Sequence, residues 1–152
     1  MNTRLRWSLP APGTSGIRQN SVYIFFKPPL FIPPLNVLVI GGGGREAAIS
    51  FKLSQSKKIT RLFCAPGNAG IASVATIVPI PVNAVDSLVQ FSKENRIDLT
   101  IVGPELPLSL GIVDRFEAAG LPIFGPSRRA AQIETSKGFS KLFMRNHQIP
   151  TP

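Results

Sequence analysis

The chain has 152 residues, enough for one core, and 43% of them are hydrophobic, which excludes a disordered chain. Its net charge of +9 is thinly spread, with no basic run longer than two residues and a single Tyr and Trp, so a nucleic-acid surface is not expected. One cysteine, Cys64, excludes an internal disulfide, and no cluster of His, Cys, Asp and Glu suggests a metal site.

Residues 1–35 stand apart. They hold six of the fifteen prolines, four basic residues and no acid. Such a stretch reads either as a transit peptide, which implies a plastid or mitochondrion, or as a leader without a role, which leaves the cytoplasm. Its run "VYIFF" is too short to cross a bilayer, so no membrane partner is expected.

From Asn36 onward strand and helix patterns alternate. "NVLVI" is a β-branched run ended by glycine and predicts a buried strand. "REAAISFKLSQSKK" predicts a helix over 45–58, closed by Lys57 and Lys58. "TRLFCA" predicts a second strand stopped by "PGNAG". "ATIVPIPV" is restricted to a sheet edge, because its prolines cannot donate to a central ladder. "NAVDSLVQFSKENR" puts Val85, Leu88, Val89 and Ser92 on one helical face. "DLTIVG" predicts a strand, "PELPL" a turn, and "SLGIVDRFEAAG" a helix closed by Gly120. "LPIFGP" predicts a last strand, followed by helices in "SRRAAQIET" and "SKGFSKLFMRNHQ". The expected class is α/β, a Rossmann-like parallel sheet with helices on both faces. Ligands of such sheets bind beyond the carboxyl ends of the strands. The loops "GGGGRE", "PGNAG", "GPELPL" and "GPSRRA" should therefore share one rim.

Residues 42–47, Gly-Gly-Gly-Arg-Glu-Ala, satisfy G-x-G-x-x-G/A between a strand and a helix. Bare backbone there can approach a ligand, and the helix start favours an anion. A dinucleotide is less well served. The acid that would hold its ribose belongs about twenty residues on, and no Asp or Glu lies between Ala47 and Val85. At the helix start, Glu46 favours the dipole or orients a polar ligand, and Arg45 can meet a ligand's charge. Glu105, stiffened by Pro104 and Pro107, suits an amine or a sugar hydroxyl. Asn68 is a turn residue or a ligand contact, and His147 a solvated or capping residue. No Ser-His-Asp set and no carboxylate pair is visible, so no catalytic residue is assigned.

Together "VLVIGGGGREAA", "APGNAG", "IDLTIVGPELPLSLGIVDRFEAAG", "IFGPSRRAAQIETSKGFSKLFM" and "IPTP" resemble consecutive segments of the N-terminal domain of the glycinamide ribonucleotide synthetases, or phosphoribosylamine–glycine ligases, from Asn36 to the last residue. The resemblance implies a pre-ATP-grasp fold over 36–135 and the start of an ATP-grasp portion over 136–152. It implies a ligase of de novo purine synthesis that joins phosphoribosylamine to glycine with ATP and magnesium. Carried across, Gly43, Gly44, Arg45 and Glu46 line the cleft for the ribosyl phosphate, and Gly67 and Asn68 form a second wall. Glu105 approaches the amine or ribose, and Lys137 reaches toward ATP phosphates.

Two departures qualify this. The family's Arg-Glu-His-Ala is Arg-Glu-Ala-Ala at residues 45–48, which puts substrate affinity in question. No Asp or Glu follows Glu134, so magnesium carboxylates are missing and neither ATP nor magnesium is expected to bind this chain tightly alone. The expectation is an isolated, truncated N-terminal domain whose partner is the missing ATP-grasp portion. The alternatives are an NAD(P)-binding module and a non-catalytic interaction fragment.

Overall fold

Five parallel strands form one sheet in the order β3-β2-β1-β4-β5. The structure, a computed structural model, describes residues 34–151, and apart from Pro34 and Leu35 the expected leader lies outside them. In chain order the elements are β1 (Leu35–Gly41), α1 (Gly44–Ser54), β2 (Ile59–Pro66), β3 (Thr76–Ile77), α2 (Val85–Glu94), β4 (Leu99–Val102), α3 (Glu105–Ser109), α4 (Ile112–Ala118), β5 (Ile123–Phe124), α5 (Arg128–Thr135) and α6 (Lys137–Asn146). A short 3-10 turn, Ile71–Ser73, lies between β2 and β3.

The central strand β1 pairs with β2 on one side and β4 on the other, Val39 standing opposite both Cys64 and Ile101. Successive side chains of a strand point to opposite faces. Leu38 and Ile40 accordingly join Leu88, Val89, Ile112 and Phe116 of α2 and α4. Val37 and Val39 join Leu62 and Cys64, with Ile49 and Leu53 of α1 packed against them. Both faces are thus covered, as the run of apolar residues in β1 requires. Leu38, Ile40, Leu88, Ile112 and Phe116 are all fully buried, and burial of each such side chain contributes about 1.5–3 kcal/mol.

The helix face expected of "NAVDSLVQFSKENR" is observed, with Leu88, Val89 and Ser92 buried. β3 is an edge strand, as expected, and ends at Ile77, before Pro79 and Pro81. Gly120 closes α4 at φ +70°, with its own N–H bonded to Glu117 O and that of Leu121 to Phe116 O, the paired bonds of a Schellman end.

Two elements differ from expectation. α1 stops at Ser54 rather than at Lys58. The Ser54 hydroxyl donates to Phe51 O at 2.8 Å and the Ser56 N–H bonds Leu53 O at 3.0 Å, so local polar groups take the carbonyls that further helix would use. Lys57 and Lys58 lie in the turn that follows. "PELPL" is a short helix, α3, and not a turn. Pro104 caps it and Pro107 sits in its first turn, where a missing N–H breaks no helical bond. Gly111, at φ +83°, separates α3 from α4, so the single helix expected over 109–120 is interrupted.

Candidate functional site at the carboxyl ends of the strands

The chain leaves β1 for β2 on one side and returns through β4 on the other, which opens a crevice between the carboxyl ends of β1 and β4. Three loops meet around it. The turn after β1 carries Gly41 to Arg45, the loop after β2 carries Gly67 and Asn68, and the segment after β4 carries Gly103 to Glu105.

Gly41, at φ +129°, makes the turn. The next glycine lets the loops touch: a Cβ on Gly42 would lie 2.6 Å from Gly67 O, which is backbone and cannot swing aside. The Gly67 N–H donates to Gly41 O at 3.1 Å, and Asn68 Nδ2 donates to Gly42 O at 2.8 Å. Asn68 Oδ1 in turn accepts the Ile71 N–H at 2.9 Å, so one side chain ties the two loops and starts the 3-10 turn. Cys64, fully buried, points its thiol at Gly41 O at 3.3 Å. Burial pushes that thiol's pKa up.

Glu46 lies beneath the turn, not in the open crevice. It is only 4% exposed. Its Oε2 accepts the Gly43 N–H at 2.7 Å, the reverse half of a capping box, and satisfies one donor at the helix start. The carboxylate is seated between two glycines. A Cβ on Gly41 would come within 2.6 Å of Glu46 Cγ, and one on Gly103 would collide with Oε1, Cδ and Cγ. Oε1 is buried without a hydrogen-bond partner, and Arg45 Nε stands 3.4 Å from it as an ion pair.

Gly43, Gly44 and Arg45 are exposed at the lip. Helix geometry leaves the N–H groups of Gly44, Arg45 and Glu46 without intrahelical partners, and the helix dipole adds positive potential there. Arg45 Nη2 bonds Glu105 Oε1 at 3.0 Å across the crevice. The contact with Arg45 holds the Glu105 carboxyl below the usual carboxylate range, and that with Glu105 holds the Arg45 guanidinium above its ordinary value.

Gly43, Gly44, Arg45, Gly67, Asn68 and Glu105 thus share one rim, with Glu46 under it. Lys137 does not join them. It starts α6 and lines a separate hollow of about 520 Å³ with Glu134, Ser140 and Lys141. Among the described residues no three His, Cys, Asp or Glu side chains gather to hold a metal ion. Sequence reasoning missed Gly41 and Gly103, the two residues that make room for Glu46. Their one signal is that each is the first glycine after a central strand.

Strand order, a glycine turn at the first β–α joint and an anion-favouring helix start define a Rossmann-like domain of the kind that takes a small anionic ligand at its switch point. Residues 35–134 match the family model described as phosphoribosylglycinamide synthetase, N domain, and the chain belongs to that family. It is 57% identical over 117 residues to the phosphoribosylamine–glycine ligase of Caldanaerobacter subterraneus subsp. tengcongensis, covering 77% of this chain and 28% of that protein. It is 56% identical over 117 residues to the ligase of the same name from Halalkalibacterium halodurans, covering 77% and 27%. Among solved structures, that of phosphoribosylamine–glycine ligase from Thermotoga maritima superposes with a TM-score of 0.58 at 25% identity, over 77% of this chain and 26% of the other. The biotin carboxylase domain of a thermophilic 2-oxoglutarate carboxylase reaches the same TM-score at 15% identity, over 78% of this chain and 29% of that one, and shares the fold alone. The chain spans little more than a quarter of the length of these ligases. The resemblance read from the motifs is therefore borne out at the level of family and fold.

Proposed function

We propose that this chain supplies the sugar-phosphate subsite of a phosphoribosylamine–glycine ligase of purine synthesis and does not turn over alone. The observation that carries this reading is the meeting of Arg45, the open helix start of α1 and Glu105 at one switch point. The phosphate of phosphoribosylamine would lie against the Gly44 and Arg45 amides and the Arg45 guanidinium, with Asn68 closing the opposite wall. Glu105 would take the amine or a ribose hydroxyl. Glu46 would serve from below by holding the turn.

Among the described residues the family's magnesium finds no matching set of ligands. No group of acids able to hold a metal gathers among the described residues, and Lys137 faces a hollow of its own. The remainder of such a ligase would supply that chemistry, and 136–152 would be its first segment. The exposed Ile133, Leu142, Phe139 and Phe143 on α5 and α6 favour docking of that remainder.

Calorimetric titration of the chain with ribose 5-phosphate, with NADH in a parallel cell, tests the reading. Saturable heat with the sugar phosphate and none with NADH is expected. NADH binding at equal or higher affinity would replace it with the dinucleotide reading, and ADP release with phosphoribosylamine, glycine and ATP would refute the dependence on further domains. A chain that stays a monodisperse monomer at high concentration would argue against an uncovered α5–α6 face.

A further inference from the structure

Glu46 has one carboxylate oxygen more than its cap needs. Oε2 holds the Gly43 N–H at 2.7 Å. Oε1 is buried beside Gly103 and has no hydrogen-bond partner. An unsatisfied buried acceptor is unfavourable, so it attracts any donor within reach. The cation beside it is Arg45, whose Nε lies 3.4 Å away. The Glu46 carboxylate is buried and the Arg45 side chain 58% exposed, so the guanidinium is the member freer to adapt.

The same guanidinium is held at a second point, through Nη2 to Glu105 Oε1 at 3.0 Å. Of the five N–H donors of an arginine, one on Nη2 bonds Glu105, while Nε lies 3.4 Å from Glu46 Oε1 as an ion pair without a hydrogen bond. The Nη1 pair is left over, on a side chain that is 58% exposed. A planar fork bonded to Glu105 and paired with Glu46 loses little freedom when it meets an anion.

We propose that Glu46 is the positioning residue of this rim: through Oε1 it orients the Arg45 guanidinium, which then bridges to Glu105 and presents its free edge to an anionic ligand. The ligand half of this statement rests on the sugar-phosphate reading above. The orienting half stands on the Glu46–Arg45–Glu105 geometry alone.

The test uses the full chain and Glu46→Gln, which keeps a carbonyl oxygen for the Gly43 N–H and replaces the acceptor facing Arg45 with an amide. The titration of the Glu105 carboxyl is followed by NMR. If Glu46 aims Arg45, the variant releases the guanidinium and Glu105 titrates at higher pH than in the parent. Loss of a negative neighbour alone works the other way, since it makes Glu105 easier to ionise. An unchanged or lower Glu105 titration overturns the proposal.

Affinity for ribose 5-phosphate should fall about three- to tenfold in Glu46→Gln, the scale of one side chain that must be ordered afresh. In an Arg45→Ala background the same substitution should have no further effect. An equal loss in both backgrounds overturns the proposal, because Glu46 would then act independently of Arg45. Should Glu46→Gln not fold, the Arg45 Nε–H of the parent decides. A resolved, slowly exchanging signal supports the orienting contact, and one merged with the exposed arginines overturns it. A parent that does not bind ribose 5-phosphate overturns the functional reading, while the titration and the Nε–H signal still judge the positioning.

Discussion

The Glu46 carboxylate occupies the space that a methyl group on Gly103 would fill. A residue at the start of the first helix and one at the end of the fourth strand are thereby made interdependent, and the turn that carries Gly43 and Arg45 rests on that packing.

Gly103→Ala is expected to destabilise the fold by about 1–3 kcal/mol, the range of overpacking in a tight interior. Backbone strain is not the cause, since the φ of Gly103 is not in the left-handed region. The cause is displacement of the Glu46 side chain. Urea unfolding of Gly103→Ala, Glu46→Ala and the double variant checks this. The alanine at 103 should cost clearly less when Glu46 is already truncated, and strictly additive losses would show that the two residues are uncoupled.

Asn68→Ala should weaken the junction of the first two loops. It removes the bond to Gly42 O and the acceptor for the Ile71 N–H. With the side chain exposed, a loss of about 1–2 kcal/mol is expected, near the net worth of two ordinary hydrogen bonds. Asn68→Asp keeps the acceptor for the Ile71 N–H but sets a carboxylate oxygen against Gly42 O, so it should cost at least the loss of the Gly42 bond. Thermal unfolding gives the ranking, and faster hydrogen exchange at the Ile71 amide in the alanine variant locates the effect.

The Arg45–Glu105 pair makes a prediction about pH. The pKa of Glu105 is lowered in the folded chain, first of all by its hydrogen bond from Arg45. A carboxyl with a depressed folded pKa contributes stability above its unfolded pKa and loses that contribution as pH falls through the folded one. The contribution should therefore vanish on the acid side only. Both groups are open to solvent, so salt should diminish it. NMR titration should show the Glu105 carboxyl titrating at higher pH in Arg45→Ala than in the parent, and a titration unchanged by that substitution would sink the assignment.

Cys64 should be inert in the native state. Its side chain is fully buried in the β1–β2 layer, and burial raises its thiol pKa. Thiolate is the reactive form, so labelling with a thiol reagent near neutral pH should wait for unfolding. A labelling rate that rises with denaturant in step with unfolding is the expected outcome. Rapid labelling of the folded chain would show that the layer opens locally.

Much of the architecture was legible because its signals are local. "NVLVI" and "TRLFCA" are apolar runs bounded by turn residues, and they became the paired central strands β1 and β2. Pro79 and Pro81 forbade a central ladder, and β3 is a two-residue edge. Boundaries are less legible where a local polar group competes with the helix, as at Ser54, or where a proline that suggests a turn is tolerated in the first turn of a helix, as at Pro107. Glycine and charge at strand ends are legible in the sequence at Gly43, Arg45, Asn68 and Glu105, and the fold brings these residues to one rim.

Chain order alone determined a layered α/β domain, its glycine turn and its membership of a synthetase family. It left open which way Glu46 points. A helix-start carboxylate reads the same whether it meets solvent, a ligand or its own backbone. Only pairing β4 beside β1 brings Gly103 over that side chain, closes a buried slot around it and sets Arg45 against Glu105. Period and propensity act between near neighbours along the chain. The slot depends on the register of strands far apart in it, which the folded sheet alone decides.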